Sequence, residues 1–443
     1  MTRIVILGNG IAGITAARHI RKYSDFKITV ISGETDYFFS RTALMYVYMG
    51  HMKFEHTQPY EDSFWDKNNI ELVKDWILSI DFERKKMTGE NGSYEFDQLI
   101  LALGSKPNMF GWKGQELPGV QGLYSFQDLQ KMETSTQNIK QAVIVGGGLI
   151  GIEMAEMLLS RNISVTHLVR EKHFWDIVLP KEEAQLIDQH IISHGIDLRL
   201  ETELEEIVAD ENGRVSAVKT KTGDLIPTQF VGLTVGVSPN VSILKNSDLK
   251  IEKGILVDKY LKTNIPDVYA IGDCAQLVNP PVDRKPIEAV WYTGRIMGET
   301  VAQTITGTLT AYQPGIWFNS AKFFDIEYQT YGIVSTVETS TEKHFFWKSR
   351  AAKQSLRISF NPASQAVLGV ITLGMRMRHE IWDQWIHESK KLPEVISQLA
   401  NANFDPEFFK SYVGEIQRSF NASFPENTVR IKNPSFIQRI MNP

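Results

Sequence analysis

The first apolar run of the chain breaks into glycines and then continues with helical spacing. Ile4–Leu7 indicates a buried strand, and from Ile14 onward small and apolar residues recur as on one face of a helix. Gly8, Gly10 and Gly13 lie between the two segments. In a dinucleotide-binding turn, the first glycine allows the tight turn, the second lets a pyrophosphate approach the backbone, and the third lets the helix pack closely. The sequence therefore predicts a helix that begins at a bound phosphate.

The same pattern recurs 138 positions later, where the apolar run Val143–Val145 precedes another glycine-rich turn. One such turn also occurs for packing reasons alone, but two turns with equal spacing favour nucleotide binding. We therefore predict an α/β protein with two Rossmann-like dinucleotide-binding domains. The residues expected to contact nucleotide are Gly8, Gly10, Ile11, Ala12, Gly13, Gly146, Gly148, Leu149, Ile150 and Gly151.

Two of the charged residues after the second predicted strand, Lys27–Ile31, are candidates for binding the nucleotide. An acidic residue at the end of this strand normally binds the adenosine ribose hydroxyls, which makes Glu34 the candidate. The alternative is an exposed loop carboxylate. Arg41 follows an aromatic turn and is predicted to reach a phosphate or the other end of the ligand; the alternative is a surface arginine at a helix start.

The strand Ile163–Val169 of the second unit is expected to select the coenzyme at its end. A carboxylate there accepts the ribose 2′-hydroxyl of NADH, whereas a base accommodates the 2′-phosphate of NADPH. The chain has Val169 and then Arg170, which favours NADPH, although Glu171 follows directly. The alternative is that Arg170 is a solvated charge at a strand end.

Composition agrees with an enzyme of three ordinary domains, since the chain has 443 residues, of which 42% are hydrophobic and 22% charged. A net charge of -5 and no basic tract longer than Arg84–Lys86 argue against nucleic acid as a partner. The first predicted strand leaves no room for a signal peptide, and no apolar run of about 18 residues suggests a membrane span. We therefore expect a cytoplasmic protein.

Cys274 is the only cysteine, which excludes an internal disulfide and a cysteine-pair redox relay. A free cysteine beside an apolar strand is expected to be buried. No catalytic acid, base, nucleophile or metal-binding cluster stands out in the sequence.

These motifs resemble the FAD-dependent pyridine nucleotide-disulfide oxidoreductases. Besides the two glycine turns, the resemblance is carried by Ile28–Gly50, by Asp97–Pro107, by the Gly-x-x-Pro-Asn segment that starts at Gly236, and by Asp267–Asp273. It implies that FAD is bound in the first unit and NAD(P)H in the second, with NADPH slightly favoured. The implied function is hydride transfer from NAD(P)H to FAD and onward passage of electrons to an acceptor.

The resemblance also implies a domain organisation, with the NAD(P)-binding domain inserted into the FAD-binding domain. The predicted divisions are 1–120 with 245–312 for FAD, 121–244 for NAD(P), and 313–443 for an α+β interface domain that forms a homodimer. In the last domain, alternating apolar patterns predict strands at Phe345–Trp347, Leu356–Phe360 and Ala366–Ile371.

Further site residues come from the resemblance alone. Thr42 stands where related oxidases and disulfide reductases have their redox cysteine, and threonine cannot cycle between thiol and disulfide. The acceptor is therefore expected to be a small redox protein, a quinone or oxygen. An alternative role is a nicotinamide-responsive flavoprotein that acts in assembly or signalling. The remaining FAD candidates are Ile77, Ala102, Gly104, Gly272 and Asp273, and Glu153 is expected near the nicotinamide unless it is only a carboxylate at a helix start. Trp291 and Tyr292, on the helix that leads away from the Gly-Asp strand end, are expected to be core aromatics rather than flavin contacts.

Overall fold

The computed structural model describes residues 1–351, 353–404 and 410–431. The segment Pro434–Met441, which the sequence indicates is too short to anchor the chain to a membrane by itself, lies outside these residues. Within the described residues, no helix combines the length and the apolar character that crossing a bilayer requires.

The strands in chain order are β1 (Arg3–Leu7), β2 (Lys27–Ser32), β3 (Ile70–Lys74), β4 (Ile77–Asp81), β5 (Lys86–Gly89), β6 (Ser93–Glu95), β7 (Gln98–Leu101), β8 (Ser105–Pro107), β9 (Val120–Gln121), β10 (Gln141–Val145), β11 (Ser164–Leu168), β12 (Asp197–Arg199), β13 (Leu204–Ala209), β14 (Val215–Thr220), β15 (Leu225–Pro227), β16 (Phe230–Leu233), β17 (Val237–Pro239), β18 (Ile255–Val257), β19 (Val268–Ala270), β20 (Ala275–Leu277), β21 (Phe318–Phe323), β22 (Ile326–Gly332), β23 (Lys343–Lys348), β24 (Ser355–Phe360) and β25 (Val367–Leu373).

The α-helices are α1 (Ile11–Tyr23), α2 (Leu44–Tyr48), α3 (Ser63–Lys67), α4 (Phe126–Ser135), α5 (Leu149–Ser160), α6 (Lys181–Ser193), α7 (Trp291–Ile305), α8 (His379–His387), α9 (Leu392–Gln398) and α10 (Val413–Ser423). Short 3-10 helices occur at Arg41–Ala43, Phe54–Thr57, Ser242–Leu244, Gly272–Cys274, Leu399–Ala402 and Pro425–Asn427.

The described residues divide into two compact units. The first contains 1–170 and 195–314, and the second contains 171–194 together with the C-terminal part from 315 onward. The predicted division into three domains stays a prediction. The predicted fold class is confirmed, since the first unit is built on two parallel sheets with helices, and the second on an antiparallel sheet with helices. The first unit also contains the small antiparallel sheets β4-β5-β6 and β13-β14-β15.

The first unit contains two parallel five-stranded sheets of the same design. One has the order β19-β7-β1-β2-β3 and the other the order β12-β11-β10-β16-β9. Their central strands, such as β1 and β10, are apolar and almost completely buried, as expected where helices cover both faces of a parallel sheet. In each sheet the chain runs outward in one direction from the central strand and later returns on its other side, so each has a topological switch point beside that strand.

Two antiparallel segments join the regions of the two sheets. β8 pairs with β17, with Ser105 opposite Pro239 and Pro107 opposite Val237. The backbone N–H of Asn240 donates to the carbonyl oxygen of Gly104 at 2.9 Å. At another point of contact, Tyr48 at the end of α2 shares a hydrogen bond of 2.7 Å with Thr136. The first unit thus contains both predicted nucleotide turns within one compact body.

The helices α1 and α7 pack closely because α7 has a glycine at position 298. A Cβ atom placed on Gly298 would lie 2.6 Å from the carbonyl oxygen of Ala12 and 2.9 Å from Cβ of Thr15. A Cβ atom on Gly294 would make only ordinary contacts, the nearest being 3.4 Å from Ile11. The start of α1, where the first glycine turn ends, is therefore fixed against α7.

The second unit is built on the antiparallel sheet β21-β22-β25-β24-β23. The three strands predicted from sequence in this part of the chain are present as β23, β24 and β25. Their apolar side chains form one core with residues of α8, α9 and α10, including Trp382, Trp385 and Phe420. Arg357 on β24 is buried and donates through Nε and Nη2 to Glu183 of α6, at 2.9 Å in both cases.

We predict that Gly298→Ala lowers the free energy of unfolding by about 1 to 3 kcal/mol, because the new methyl group would meet main-chain atoms that cannot move aside cheaply. Gly294→Ala is the matched control on the same helix. It is expected to be neutral or stabilising by up to about 1 kcal/mol, since alanine is the better helix former. Urea unfolding of both variants measures the difference, and equal stabilities would contradict the close packing of the two helices.

Candidate functional site

The first glycine turn has the geometry that its three glycines predict. Gly8 has a φ of +116°, and a Cβ atom there would lie 2.2 Å from the carbonyl oxygen of Ala102 at the end of β7. A Cβ atom on Gly13 would lie 2.1 Å from the carbonyl oxygen of Gly8. A Cβ atom on Gly10 would meet no atom within 4 Å, so this position opens onto free space. The turn therefore leaves room for a ligand directly at the start of α1.

The second turn repeats this geometry. Gly146 also has a φ of +116°, and its Cβ would lie 2.6 Å from the carbonyl oxygen of Thr234. A Cβ atom on Gly151 would lie 2.6 Å from the carbonyl oxygen of Gly146, whereas a Cβ atom on Gly148 would meet no atom within 4 Å. Two residues that the sequence analysis missed support the turn: His167 donates through Nε2 to Gly146 O at 2.9 Å, and Thr234 donates to Val145 O at 2.9 Å. Burial lowers the pKa of His167 to about 4, which keeps the ring neutral.

Both helices begin in a way that suits an anion. α1 starts after Gly10 and α5 after Gly148, and neither helix has a side-chain cap or an acidic residue in its first turn. The first backbone N–H groups of a helix have no partner within the helix, and the helix dipole adds a partial positive charge there. Each turn also lies at the carboxyl end of a central strand, at the switch point of its sheet. The two positions fit the phosphates of two separate dinucleotides.

Glu34 and Arg41, both predicted to contact a nucleotide, bind each other. Arg41 donates Nη1 to Oε1 of Glu34 at 2.7 Å and Nη2 to Oε2 at 2.6 Å. The same arginine donates to the carbonyl oxygen of Tyr124 at 2.6 Å, and the N–H of Phe126 donates to Oε1 of Glu34 at 2.9 Å. The side chain of Glu34 is only 15% exposed. The carboxylate is therefore held in place just beyond the end of β2.

Asp273 lies in a partly buried cluster that the sequence did not reveal. Its Oδ2 accepts hydrogen bonds from Ser105 Oγ at 3.0 Å and from the hydroxyl of Tyr124 at 3.1 Å. Burial raises the pKa of Asp273, and the two hydrogen bonds oppose that rise. Tyr124 also accepts from the backbone N–H of Ser105 at 2.9 Å. No sequence signal identified Tyr124, because it reaches the Gly-Asp strand end from a separate segment of the chain.

The remaining candidates of the first sheet lie at its carboxyl edge or beside it. Gly104 has a φ of +67° and Gly272 a φ of +70°, conformations that favour glycine. Ala102 directly follows β7, and Ile77 is half-buried at the start of β4. Thr42 lies in the short helix Arg41–Ala43, where its hydroxyl is 3.2 Å from that of Ser40.

Two aromatic residues at the start of α7 differ from expectation. The sequence favoured core positions for Trp291 and Tyr292 over contacts with a flavin. Trp291 is exposed and Tyr292 is half-buried, because they form the first turn of α7, before the helix packs on α1. The prediction of a core position was therefore wrong for Trp291.

Cys274 is buried, as its sequence context predicts. The thiol donates to the carbonyl oxygens of Leu101 at 3.4 Å and Ile271 at 3.3 Å, and it accepts from the N–H of Leu103 at 3.3 Å. Burial raises the pKa of Cys274 to about 12. A thiol with this pKa and no access to solvent is not a nucleophile.

The candidates of the second sheet surround its glycine turn. Glu153 lies in the first turns of α5, and burial, together with the charge of Glu156, raises its pKa to about 7. Gly236 has a φ of +86°, and its carbonyl oxygen accepts from Asn108 N at 3.1 Å. Arg170 is exposed two residues beyond the end of β11. A carboxyl group that titrates near neutral pH beside the turn is a candidate for contact with a nicotinamide ring or its carboxamide.

Comparisons with known proteins agree with this geometry. Residues 2–304 match the family model of pyridine nucleotide-disulphide oxidoreductases. The chain is 30% identical over 278 residues to the NAD(P)H nitrite reductase of Bacillus subtilis (strain 168), an alignment that covers 62% of this chain and 34% of that protein. The chain thus spans about a third of this relative's length.

A second relative and a solved structure are matched over more of their length. The chain is 30% identical over 336 residues to the 5,5'-dehydrodivanillate O-demethylase ferredoxin reductase subunit of a Sphingobium species, covering 74% of this chain and 81% of that protein. The structure of an NAD-dependent persulfide reductase from A. fulgidus is similar in fold, with a TM-score of 0.82, 23% identity, and coverage of 96% of this chain and 83% of the other. The chain therefore belongs to the family of FAD-dependent pyridine nucleotide-disulphide oxidoreductases that its glycine turns and Gly-Asp strand end indicate.

Proposed function

We propose that the protein oxidises NAD(P)H at a bound FAD and passes the electrons to an acceptor that is not a disulfide. The observation that carries this proposal is the pair of open glycine turns, at Gly10 and Gly148, at the switch points of two sheets in one compact unit. Two dinucleotides, one a tightly bound cofactor and the other a substrate, suit this arrangement. FAD supplies the chemistry, since a flavin accepts a hydride and releases electrons singly or in pairs.

Residues of the first sheet would hold the FAD. The N–H groups at the start of α1 receive the pyrophosphate, and Glu34 accepts hydrogen bonds from the adenosine ribose. The ion pair with Arg41 supports this role, because it fixes the carboxylate before the ligand arrives. Asp273, held by Ser105 and Tyr124, would accept hydrogen bonds from the ribityl hydroxyls.

Residues of the second sheet would bind and select the nicotinamide coenzyme. The start of α5 receives its pyrophosphate, and Arg170, beyond the end of β11, donates to a 2′-phosphate, which favours NADPH. Glu153 would orient the nicotinamide, since it lies in the first turns of α5 beside the second glycine turn. Because burial raises the pKa of Glu153 to about 7, this carboxyl group is partly protonated at neutral pH and can donate as well as accept a hydrogen bond.

The acceptor is proposed to take electrons directly from the flavin. Cys274 is buried and has a raised pKa. By the family resemblance, Thr42 stands at the position where related enzymes have their redox cysteine. No thiol is therefore available to relay electrons to a disulfide. The relative that is a ferredoxin reductase subunit favours a small one-electron redox protein as acceptor, with a quinone or oxygen as the other candidates.

The two glycine turns give separable predictions. Gly10→Val places a side chain in the space proposed for the FAD pyrophosphate, and the purified protein is expected to lose most of its flavin absorbance while remaining folded. Gly148→Val is expected to retain FAD and to raise the KM for NAD(P)H at least about tenfold, a cost of 1.4 kcal/mol or more. Circular dichroism checks folding. Retention of FAD by the first variant, or its loss from the second, would contradict the assignment.

Arg170→Ala tests the choice of coenzyme. If Arg170 binds the 2′-phosphate by charge-assisted hydrogen bonds, the variant should bind NADPH more weakly by about 1.5 to 3 kcal/mol and bind NADH almost unchanged. Arg84→Ala, which removes an arginine that is 85% exposed, is the control and should change neither. Anaerobic titration of flavin reduction with each coenzyme gives the comparison. Equal losses for both coenzymes, or a native preference for NADH, would reject the role of Arg170.

A screen of acceptors tests the function as a whole. With NAD(P)H present, we expect clear reduction of ferricyanide or a quinone dye, and no measurable reduction of coenzyme A disulfide or glutathione disulfide. Cys274→Ala should leave the rate of flavin reduction within about threefold, which is less than 1 kcal/mol in barrier. A substantial disulfide reductase rate would overturn the acceptor proposal. Flavin that NAD(P)H reduces, but that no acceptor reoxidises with turnover, would favour the role in assembly or signalling.

A further inference from the structure

Two histidines and an aspartate form a compact cluster in the second unit. His190 lies in the last turn of α6, His194 directly follows that helix, and Asp325 lies in the two-residue turn between β21 and β22. One ligand atom from each, two ring nitrogens and a carboxylate oxygen, lie within 4.8 Å of one another. Among the residues that the structure describes, this is the one such group of three metal-ligating side chains.

The histidine nitrogens are presented as ligand atoms. His194 donates its Nδ1–H to the carbonyl oxygen of His190 at 2.9 Å, which leaves the lone pair of Nε2 directed away from the helix. This Nε2 lies 3.7 Å from Oδ1 of Asp325. The ring of Phe324 stacks on His194 at 4.0 Å with an angle of 8° between the planes, so the orientation of the imidazole is fixed.

His190 gives the second indication of a ligand. Its side chain is 5% exposed, and its Nε2 lies 2.7 Å from the same Oδ1 of Asp325. Although the two atoms are close, Nε2 makes no hydrogen bond of normal geometry. A cation coordinated by both atoms would give this buried imidazole nitrogen the partner that it lacks.

We propose that His190, His194 and Asp325 bind a Zn²⁺ ion through Nε2, Nε2 and Oδ1, with water completing a tetrahedral site. Zinc bonds of about 2.0 to 2.1 Å place neighbouring ligand atoms about 3.3 Å apart at tetrahedral angles. The two measured separations from Oδ1, 2.7 and 3.7 Å, lie on either side of this value, and Asp325 is 59% exposed and free to adjust. Each of these two separations would therefore change by about 0.5 Å when the ion binds.

The neighbouring charges favour zinc over magnesium or calcium. Lys353 holds the other carboxylate oxygen of Asp325, with Nζ 3.2 Å from Oδ2. A site with two imidazoles, one carboxylate oxygen and a nearby ammonium group lacks the several anionic oxygens that hard cations need. Imidazole nitrogen is a strong ligand for zinc and related late transition metals. The ion would join the end of α6 to a turn 131 residues later in the sequence, from 194 to 325.

The test uses the full-length protein, with its FAD and without a polyhistidine tag, after treatment with a chelator. Competition with a chromophoric zinc chelator should show one Zn²⁺ per chain, and Zn²⁺ should raise the thermal midpoint, because an ion that binds only the folded state stabilises it. Mg²⁺ should do neither. Visible absorption bands of bound Co²⁺ would report a site that includes nitrogen ligands.

Three variants locate the site. His194→Gln and Asp325→Asn change partly exposed side chains and should fold, and each is expected to weaken Zn²⁺ binding at least about tenfold and to abolish the thermal shift. His387→Gln is the matched control. His387 on α8 also lies close to a carboxylate, 3.4 Å from Oδ1 of Asp383, but it belongs to no group of three metal-ligating side chains among the described residues. It should bind Zn²⁺ as the native protein does. Less than one ion per chain, or equal affinity in the first two variants and the native protein, would overturn the proposal.

Discussion

At two places in the first unit, a main-chain carbonyl oxygen lies too close to a glycine for that residue to have a Cβ atom. A Cβ atom on Gly8 would lie 2.2 Å from the carbonyl oxygen of Ala102, and one on Gly146 would lie 2.6 Å from the carbonyl oxygen of Thr234. Only glycine allows the strand to turn this close to its neighbour, and the left-handed backbone at both turns excludes other residues further. The start of each following helix, and hence each phosphate position, depends on this approach.

Charges near the first turn are arranged so that each has a partner before any ligand binds. Glu34 is paired with Arg41, and Asp273 accepts from Ser105 and Tyr124. Taking a carboxylate out of water is costly unless hydrogen bonds replace the hydration that it loses. These contacts therefore explain how acidic side chains stay in place in a poorly solvated region, as the proposed FAD contacts require.

In the second unit, charged contacts also hold α6. Arg357 is buried with Glu183, and loss of one partner of such a pair costs about 3 to 5 kcal/mol because the other charge stays buried alone. The proposed zinc ion would add a second attachment at the end of the same helix. The two contacts differ in kind, since the ion pair is permanent whereas the metal site depends on the supply of zinc.

The sequence by itself determined the features that rest on local spacing. The glycine positions predicted both turns, the alternating apolar residues predicted β23 to β25, and a lone Cys274 excluded a disulfide. These predictions succeeded because a turn, a strand or the absence of a second thiol is decided within a few residues or by a count. The family followed from the order of the same motifs.

The tertiary structure alone decided which distant residues meet. Tyr124 reaches Asp273 across 149 positions, and Asp325 reaches a histidine pair more than a hundred positions earlier. It also decided exposure where the local pattern misled, as for Trp291, which is apolar but precedes the packed part of its helix. No local pattern encodes such contacts, because they depend on how whole strands and helices pack, and a side chain can meet its partner only after both elements are in place.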